Sequence, residues 1–82
     1  MGYHKTQIQK GIIGEASKME EELAELNDAM AQGNRVMALV ELSDLCGAIS
    51  LYLKRHFPDF TIHDLLIMAE ATSSAFEDGT RT

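Results

Sequence analysis

Apolar residues recur at helical intervals in three stretches of the chain, and the breaks between them carry residues that stop and start helices. Met19, Leu23, Leu26 and Met30 form one stripe, the spacing of a single helix face. Ser17 followed by Glu20 fits a capping box, which predicts a first helix over 17–32. Glu20, Glu21 and Asp28 fall elsewhere on that wheel, whereas Glu22 and Glu25 flank the stripe with Lys18 one turn before Glu22. Gly33 suits the left-handed residue after a helix end and Asn34 suits the next cap, predicting a second helix over 35–56. Its apolar side is expected to hold Leu39, Leu42, Cys46, Ile49 and Leu53. Met37, Val40, Leu45, Leu51 and Tyr52 spread hydrophobic character almost all the way round, so this helix is expected to be enclosed on several sides. Gly47 is expected to let another backbone approach closely, and Lys54 and Arg55 complement the dipole of the last turn.

Phe57-Pro58-Asp59-Phe60 breaks the pattern, because proline disfavours helix at the residue before it. Thr61 and Asp64 offer another cap pair, opening a third helix over 62–77. Ile62, Leu65, Leu66, Ala69, Thr72 and Phe76 are expected to face the core, Gly79 to end the helix, and Thr80 to Thr82 to form a frayed tail. Residues 1–14 mix polar groups with Ile8, Ile12 and Ile13, and Gly11 and Gly14 interrupt any helix there. That segment reads as an ordered arm packing on its own bundle or on a neighbouring subunit. The expected fold is one all-α domain over 1–82 with three principal helices.

Length and charge narrow this picture. Eighty-two residues sit near the size at which a single core is marginal. A homodimer or homotetramer completing a bundle of four or more helices is therefore expected. A net charge of -6 argues against a nucleic-acid partner, since such modules display a basic patch. The N-terminus lacks the continuous apolar stretch of a signal peptide, and neither export nor a lipid anchor is expected. Residues 36–53 approach membrane-spanning length but contain Glu41, Asp44, Ser43 and Ser50, which favours a buried helix over a span. A single cysteine, Cys46, implies no disulfide framework and a reducing, cytoplasmic compartment, with the thiol as a small core group.

Glu41 and Asp44 are the only charges in that apolar run, and a buried carboxylate without a partner is costly. Spaced by three, they share one side of a helix and can share one ion. Glu22 and Glu25 repeat the spacing. A short turn makes the two helices antiparallel neighbours, and Glu25 lies eight residues before Gly33 while Glu41 lies seven after Asn34, at nearly equal depth. Hard divalent cations compensate such a cluster, and all-oxygen donors select Mg2+ or Mn2+ over zinc. The plainer reading is an acidic bundle whose inner acids pair with Lys18 or Arg35. His4, His56 and His63 are expected as surface or partly buried groups rather than catalysts. No histidine follows a glutamate by three, which disfavours a ferritin-like di-iron site. Tyr52, Phe57, Phe60 and Phe76 read as core rather than nucleobase platforms, with Tyr52 near the acid side of its helix and able to edge a base pocket.

Lys18-Met19-Glu20-Glu21-Glu22-Leu23-Ala24-Glu25-Leu26 resembles the K-x-x-E-E-x-x-E-L signature of the MazG-like all-α nucleoside triphosphate pyrophosphohydrolases. Glu41-Leu42-Ser43-Asp44-Leu45 resembles the family's E-L-G-D-L, with serine in place of glycine. The likeness runs from about Gly14 to Leu53 and is to compact, often phage-encoded members, whose C-terminal end the stretch Ala75 to Arg81 also resembles. It implies hydrolysis of a nucleoside triphosphate to the monophosphate and pyrophosphate, with Mg2+ held by Glu22, Glu25, Glu41 and Asp44. It further implies that Glu21 orients a ligand or water and that Lys18 contacts a phosphate or tunes Glu22. Additional family cations after the second motif are represented only by Lys54, Arg55 and the distant Arg81. A helical module that binds a nucleotide or protein without catalysis is the alternative class.

Overall fold

The turn that reverses the chain is built as its residues dictate. Gly33 adopts φ 69°, a conformation costly for any residue with a Cβ. The Asn34 N–H donates to Ala29 O at 2.9 Å and the Gly33 N–H to Met30 O at 3.0 Å, the paired bonds of a Schellman ending. Asn34 then caps the following helix, its Oδ1 accepting from the Met37 N–H at 3.1 Å. The computed structural model describes residues 3–77, without the side chain of Phe76. Among them lie three helices and no strand: α1 (Ala16–Ala31), α2 (Arg35–His56) and α3 (Ile62–Glu77). The expectations for the Phe76 side chain, Gly79, Arg81 and the tail lie outside the described residues.

The start of α1 differs from expectation. Glu15 occupies the cap position and makes no side-chain cap bond. The Ser17 hydroxyl instead accepts from the Ile12 N–H at 3.0 Å, and Glu20 is exposed. The cause is the turn at Gly14, with φ 87°, which lays the preceding arm back over the first turn of the helix. At α3 the capping pair forms as expected. The Thr61 N–H donates to Asp64 Oδ2 at 2.8 Å, and the Asp64 N–H to Thr61 Oγ1 at 3.3 Å.

Packing departs further from the hydrophobic pattern. Among the described residues the buried apolar side chains are Ala29, Ala38, Ala48 and Leu53, and the buried polar ones are Glu21, Glu22, Asp28 and Glu41. The α1–α2 seam is thus small and acidic. Leu23 and Met30 of the predicted α1 stripe are exposed. On α2, Leu39, Leu42 and Cys46 of the predicted apolar side are exposed, so the helix is covered along one face rather than enclosed. Because α2 is apolar nearly all round, periodicity could not say which face would meet α1; the small side chains of Ala38 and Ala48 decided it. Gly47 faces open space within the chain and receives no neighbouring backbone. Among the described helices, α3 packs on α2 and not on α1. Its Ile62, Leu65 and Thr72 are half-buried, whereas Leu66 and Ala69 are exposed with Ile67 and Met68.

By length and composition α2 is apolar enough to cross a membrane, with a mean hydropathy of 1.6, and it carries Glu41 buried in the seam. Asn34→Ala should lower the unfolding free energy by about 1 kcal/mol. Gly33→Ala should cost about 1–2 kcal/mol through the left-handed φ. Urea denaturation measures both, and native-like midpoints for the two variants would contradict this account of the turn.

Candidate metal centre

The acids expected to share one site fall instead into overlapping groups, none of which holds all four of Glu22, Glu25, Glu41 and Asp44. Ligand oxygens of Glu22, Glu41 and Asp44 lie within 4.8 Å of one another, as do those of Glu21, Glu22 and Glu25. A third group within the same limit joins Glu25 and Glu41 to His4. Glu22 therefore touches both halves of the cluster. Its Oε1 is buried and has no hydrogen-bond partner among the described residues. Glu22 and Glu41 are buried and Asp44 is exposed, so the cluster reaches solvent at the Asp44 end.

Much of the neutralisation comes from the N-terminal arm. The Tyr3 hydroxyl donates to Glu41 Oε2. His4 Nδ1 lies 2.8 Å from Asp28 Oδ2, and its Nε2 lies 3.5 Å from Glu25 Oε2 and 3.4 Å from Glu41 Oε2. Asp28 also accepts from the Lys5 N–H at 3.1 Å, the Thr6 hydroxyl at 3.2 Å and the Gln32 amide at 3.0 Å. The same Gln32 amide donates to Tyr3 O at 2.7 Å. Farther along, the Gly11 N–H donates to Glu21 Oε1 at 2.8 Å. A side chain at position 11 would collide with the α1 backbone at Ser17 O. The arm is held by these polar bonds, while Ile12 and Ile13 remain exposed. Thr6 stands four residues after Gly2, at the hydroxyl position of an N-terminal acylation pattern, a motif at odds with the expectation of no lipid anchor.

Lys18 Nζ lies 3.1 Å from Glu21 Oε1 and 3.3 Å from Glu22 Oε2. Its hydrogen bond to Glu21 holds the ammonium above the usual lysine range against the opposing effect of burial. Burial pushes the Glu21 carboxyl upward, but the Gly11 N–H and Lys18 together outweigh it, leaving the group below the usual carboxylate range. Glu22 goes the other way: burial, reinforced by neighbouring Glu25, raises it despite Lys18. Burial and the bond to Glu41 push the Tyr3 phenol upward. His4, ahead of the Lys5, Thr6 and Gln32 donors, holds Asp28 below its usual range.

Of the residues proposed to bind substrate, Lys18 belongs to this cluster. Tyr52, Lys54 and Arg55 begin eight residues beyond Asp44, roughly 12 to 17 Å farther along the helix axis. Tyr52 stacks on His56 with ring centroids 4.4 Å apart, and Arg55 pairs with Glu15 at 2.9 Å; both are engaged away from the acids. Lys54 is exposed. Arg35 is exposed beside Leu39 and Leu42 in an apolar groove and neutralises none of the inner acids, whereas Lys18 does. His56 is exposed, with Nε2 3.1 Å from Gly14 O, and His63 is exposed.

Periodicity missed three participants: Tyr3, His4 and Asp28. Asp28 had a signal, because Glu22, Glu25 and Asp28 recur every three residues and Glu21 precedes Glu25 by four, giving one acidic strip. Tyr3 and His4 reach the cluster through a long-range fold of the arm that local spacing does not encode. The donor set fits a hard divalent cation: carboxylate oxygens from two helices converge, and one of them is buried without a partner. No protein-family model, curated protein or solved structure matches this chain.

Because the Asp28 carboxyl is depressed in the native state, its contribution to stability is complete above about pH 4, the unfolded value, and is lost as pH falls through the lower native one. The stability difference between the native chain and Asp28→Asn should follow that course. A difference persisting undiminished into strong acid, measured by urea unfolding at a series of pH values, would rule out the charged bond to His4 as its source.

Proposed function

We propose that the chain is a MazG-like nucleoside triphosphate pyrophosphohydrolase, with Glu22, Glu25, Glu41 and Asp44 as ligands for Mg2+, or Mn2+ in its place. The observation that carries this reading is the buried Glu22 Oε1, without a hydrogen-bond partner among the described residues, in a carboxyl that meets acids of both α1 and α2. A buried carboxylate is costly when ionised, and a proton or a cation relieves it. When bound, the ion neutralises phosphate charge and lowers the pKa of a coordinated water.

The chain's own residues divide the remaining work. Glu21, fixed by Gly11 and Lys18, is placed to orient Glu22 through the shared lysine. Lys18 is positioned to meet a phosphate only by loosening one of its two carboxylate contacts. Substrate approaches from the exposed Asp44 end, because Tyr3 and His4 cover Glu41 and Glu25 on the other. Lys54 remains a phosphate contact in this reading; Tyr52 and Arg55 serve the arm and the end of α2. The absence of a nucleic-acid partner accords with the net charge of -6, and a cytoplasmic location belongs to the same proposal.

Homo-oligomerisation belongs to the same reading. No large apolar side chain among the described residues is fully buried, and Val36, Leu39, Leu66, Ile67 and Met68 are exposed, side chains that a second copy would cover. A second copy would complete a bundle of at least four helices. Sedimentation equilibrium should therefore give a dimer or tetramer mass, and a monomer at all concentrations would refute this part.

The central test is pyrophosphate release from a panel of ribo- and deoxyribonucleoside triphosphates. Release should require Mg2+, stop on chelation, and fall by at least about a hundredfold in Glu41→Gln and Asp44→Asn, with the helical content and mass unchanged. Turnover unaffected by both substitutions would overturn the site. No turnover on any nucleotide would favour a non-catalytic binding module, the reading to which the coverage of Glu41 and Glu25 by Tyr3 and His4 lends weight.

A further inference from the structure

We infer that His4, Glu25 and Glu41 form a binding site for a borderline transition-metal dication of the Zn2+ or Co2+ type, with Asp28 positioning the imidazole. The site needs no nucleotide chemistry, although it shares two carboxylates with the proposed magnesium cluster.

The ligand atoms of the three residues lie within 4.8 Å of one another. His4 Nε2 stands 3.5 Å from Glu25 Oε2 and 3.4 Å from Glu41 Oε2. Tetrahedral zinc, with bonds of about 2.0–2.1 Å, separates its ligand atoms by roughly 3.3–3.4 Å. The arm therefore needs little movement to admit the ion. Glu41 Oε2 also accepts from the Tyr3 hydroxyl, and a carboxylate oxygen has a second lone pair for a metal.

The imidazole is prepared from behind. Asp28 Oδ2 faces Nδ1 at 2.8 Å, and a carboxylate only accepts, so Nδ1 carries the proton. In the neutral ring the Nε2 lone pair then points toward Glu25 and Glu41. This carboxylate–histidine arrangement is the usual support of a metal-binding imidazole. Asp28 is in turn fixed by Lys5, Thr6 and Gln32, and the His4 side chain is 10% exposed.

A second observation points to a cation independently of the histidine. Glu22, 5% exposed, presents an oxygen with no hydrogen-bond partner among the described residues, within the group that contains Glu25 and within that containing Glu41. Glu22 shares no such group with His4 and stands beside the site as an uncompensated carboxyl rather than as one of its ligands. A nitrogen donor shifts preference away from magnesium, which favours oxygen, toward zinc and cobalt.

The test uses the full chain, stripped of metal and titrated with Co2+ while its visible spectrum is recorded. One Co2+ per chain should give intense tetrahedral bands that Zn2+ displaces, and Zn2+ should shift the His4 ring nitrogens in NMR spectra. Asp28→Asn should weaken Co2+ binding by about 10- to 100-fold, and His4→Ala by more, each with native helical content. Mg2+ affinity should be retained in His4→Ala. Co2+ spectra identical in the native chain and His4→Ala, or His4 nitrogens unmoved by Zn2+, would overturn the site and leave the imidazole as a counter-charge to the acids. Pyrophosphohydrolase activity absent in Mg2+ would not alter these readouts, and their failure would leave the nucleotide reading standing.

Discussion

Burying carboxylates between α1 and α2 is the constraint from which the rest of the structure follows. Glu21, Glu22, Asp28 and Glu41 lie where a helical hairpin ordinarily places leucines. Charge out of water must be matched by donors or cations, and the chain meets this by folding residues 3–13 back over the hairpin. Tyr3, His4, the Lys5 and Gly11 N–H groups, Thr6 and Lys18 each contact one of these acids. The course of the arm, the bareness of Gly11 and the left-handed turn at Gly14 all serve that coverage.

Filling the seam with acids displaces the apolar residues outward. Leu39 and Leu42 of α2 are exposed although they are apolar. The donor set that the acids present depends on how much the arm contributes. With the helices alone the donors are all oxygen; with His4 included, a nitrogen enters the set.

Local signals were legible where a few adjacent residues decide the outcome. Gly33 and Asn34 specified a Schellman turn and a cap, Thr61 and Asp64 a capping pair, and equal counting from the turn brought Glu25 level with Glu41. What escaped depended on competition between surfaces. Ser17 lost its cap role to the Ile12 N–H once the arm crossed it. The inward face of α2 was set by alanine size, because leucines on every side gave periodicity nothing to choose between. His4 was invisible as a partner of the acids because it lies more than twenty residues from Glu25, in a segment without periodic structure.

The buried alanines have a consequence for the acids themselves. Ala29 on α1 and Ala38 and Ala48 on α2 are nearly or wholly covered, and residues this small permit close helix axes. Glutamate side chains reaching from both axes then span a fixed gap, so alanine acts as the gauge of the carboxylate separation. A larger residue at position 29 would widen that gap without touching a single acid. The spacing of the carboxylates is thereby set by residues that carry no donor atom.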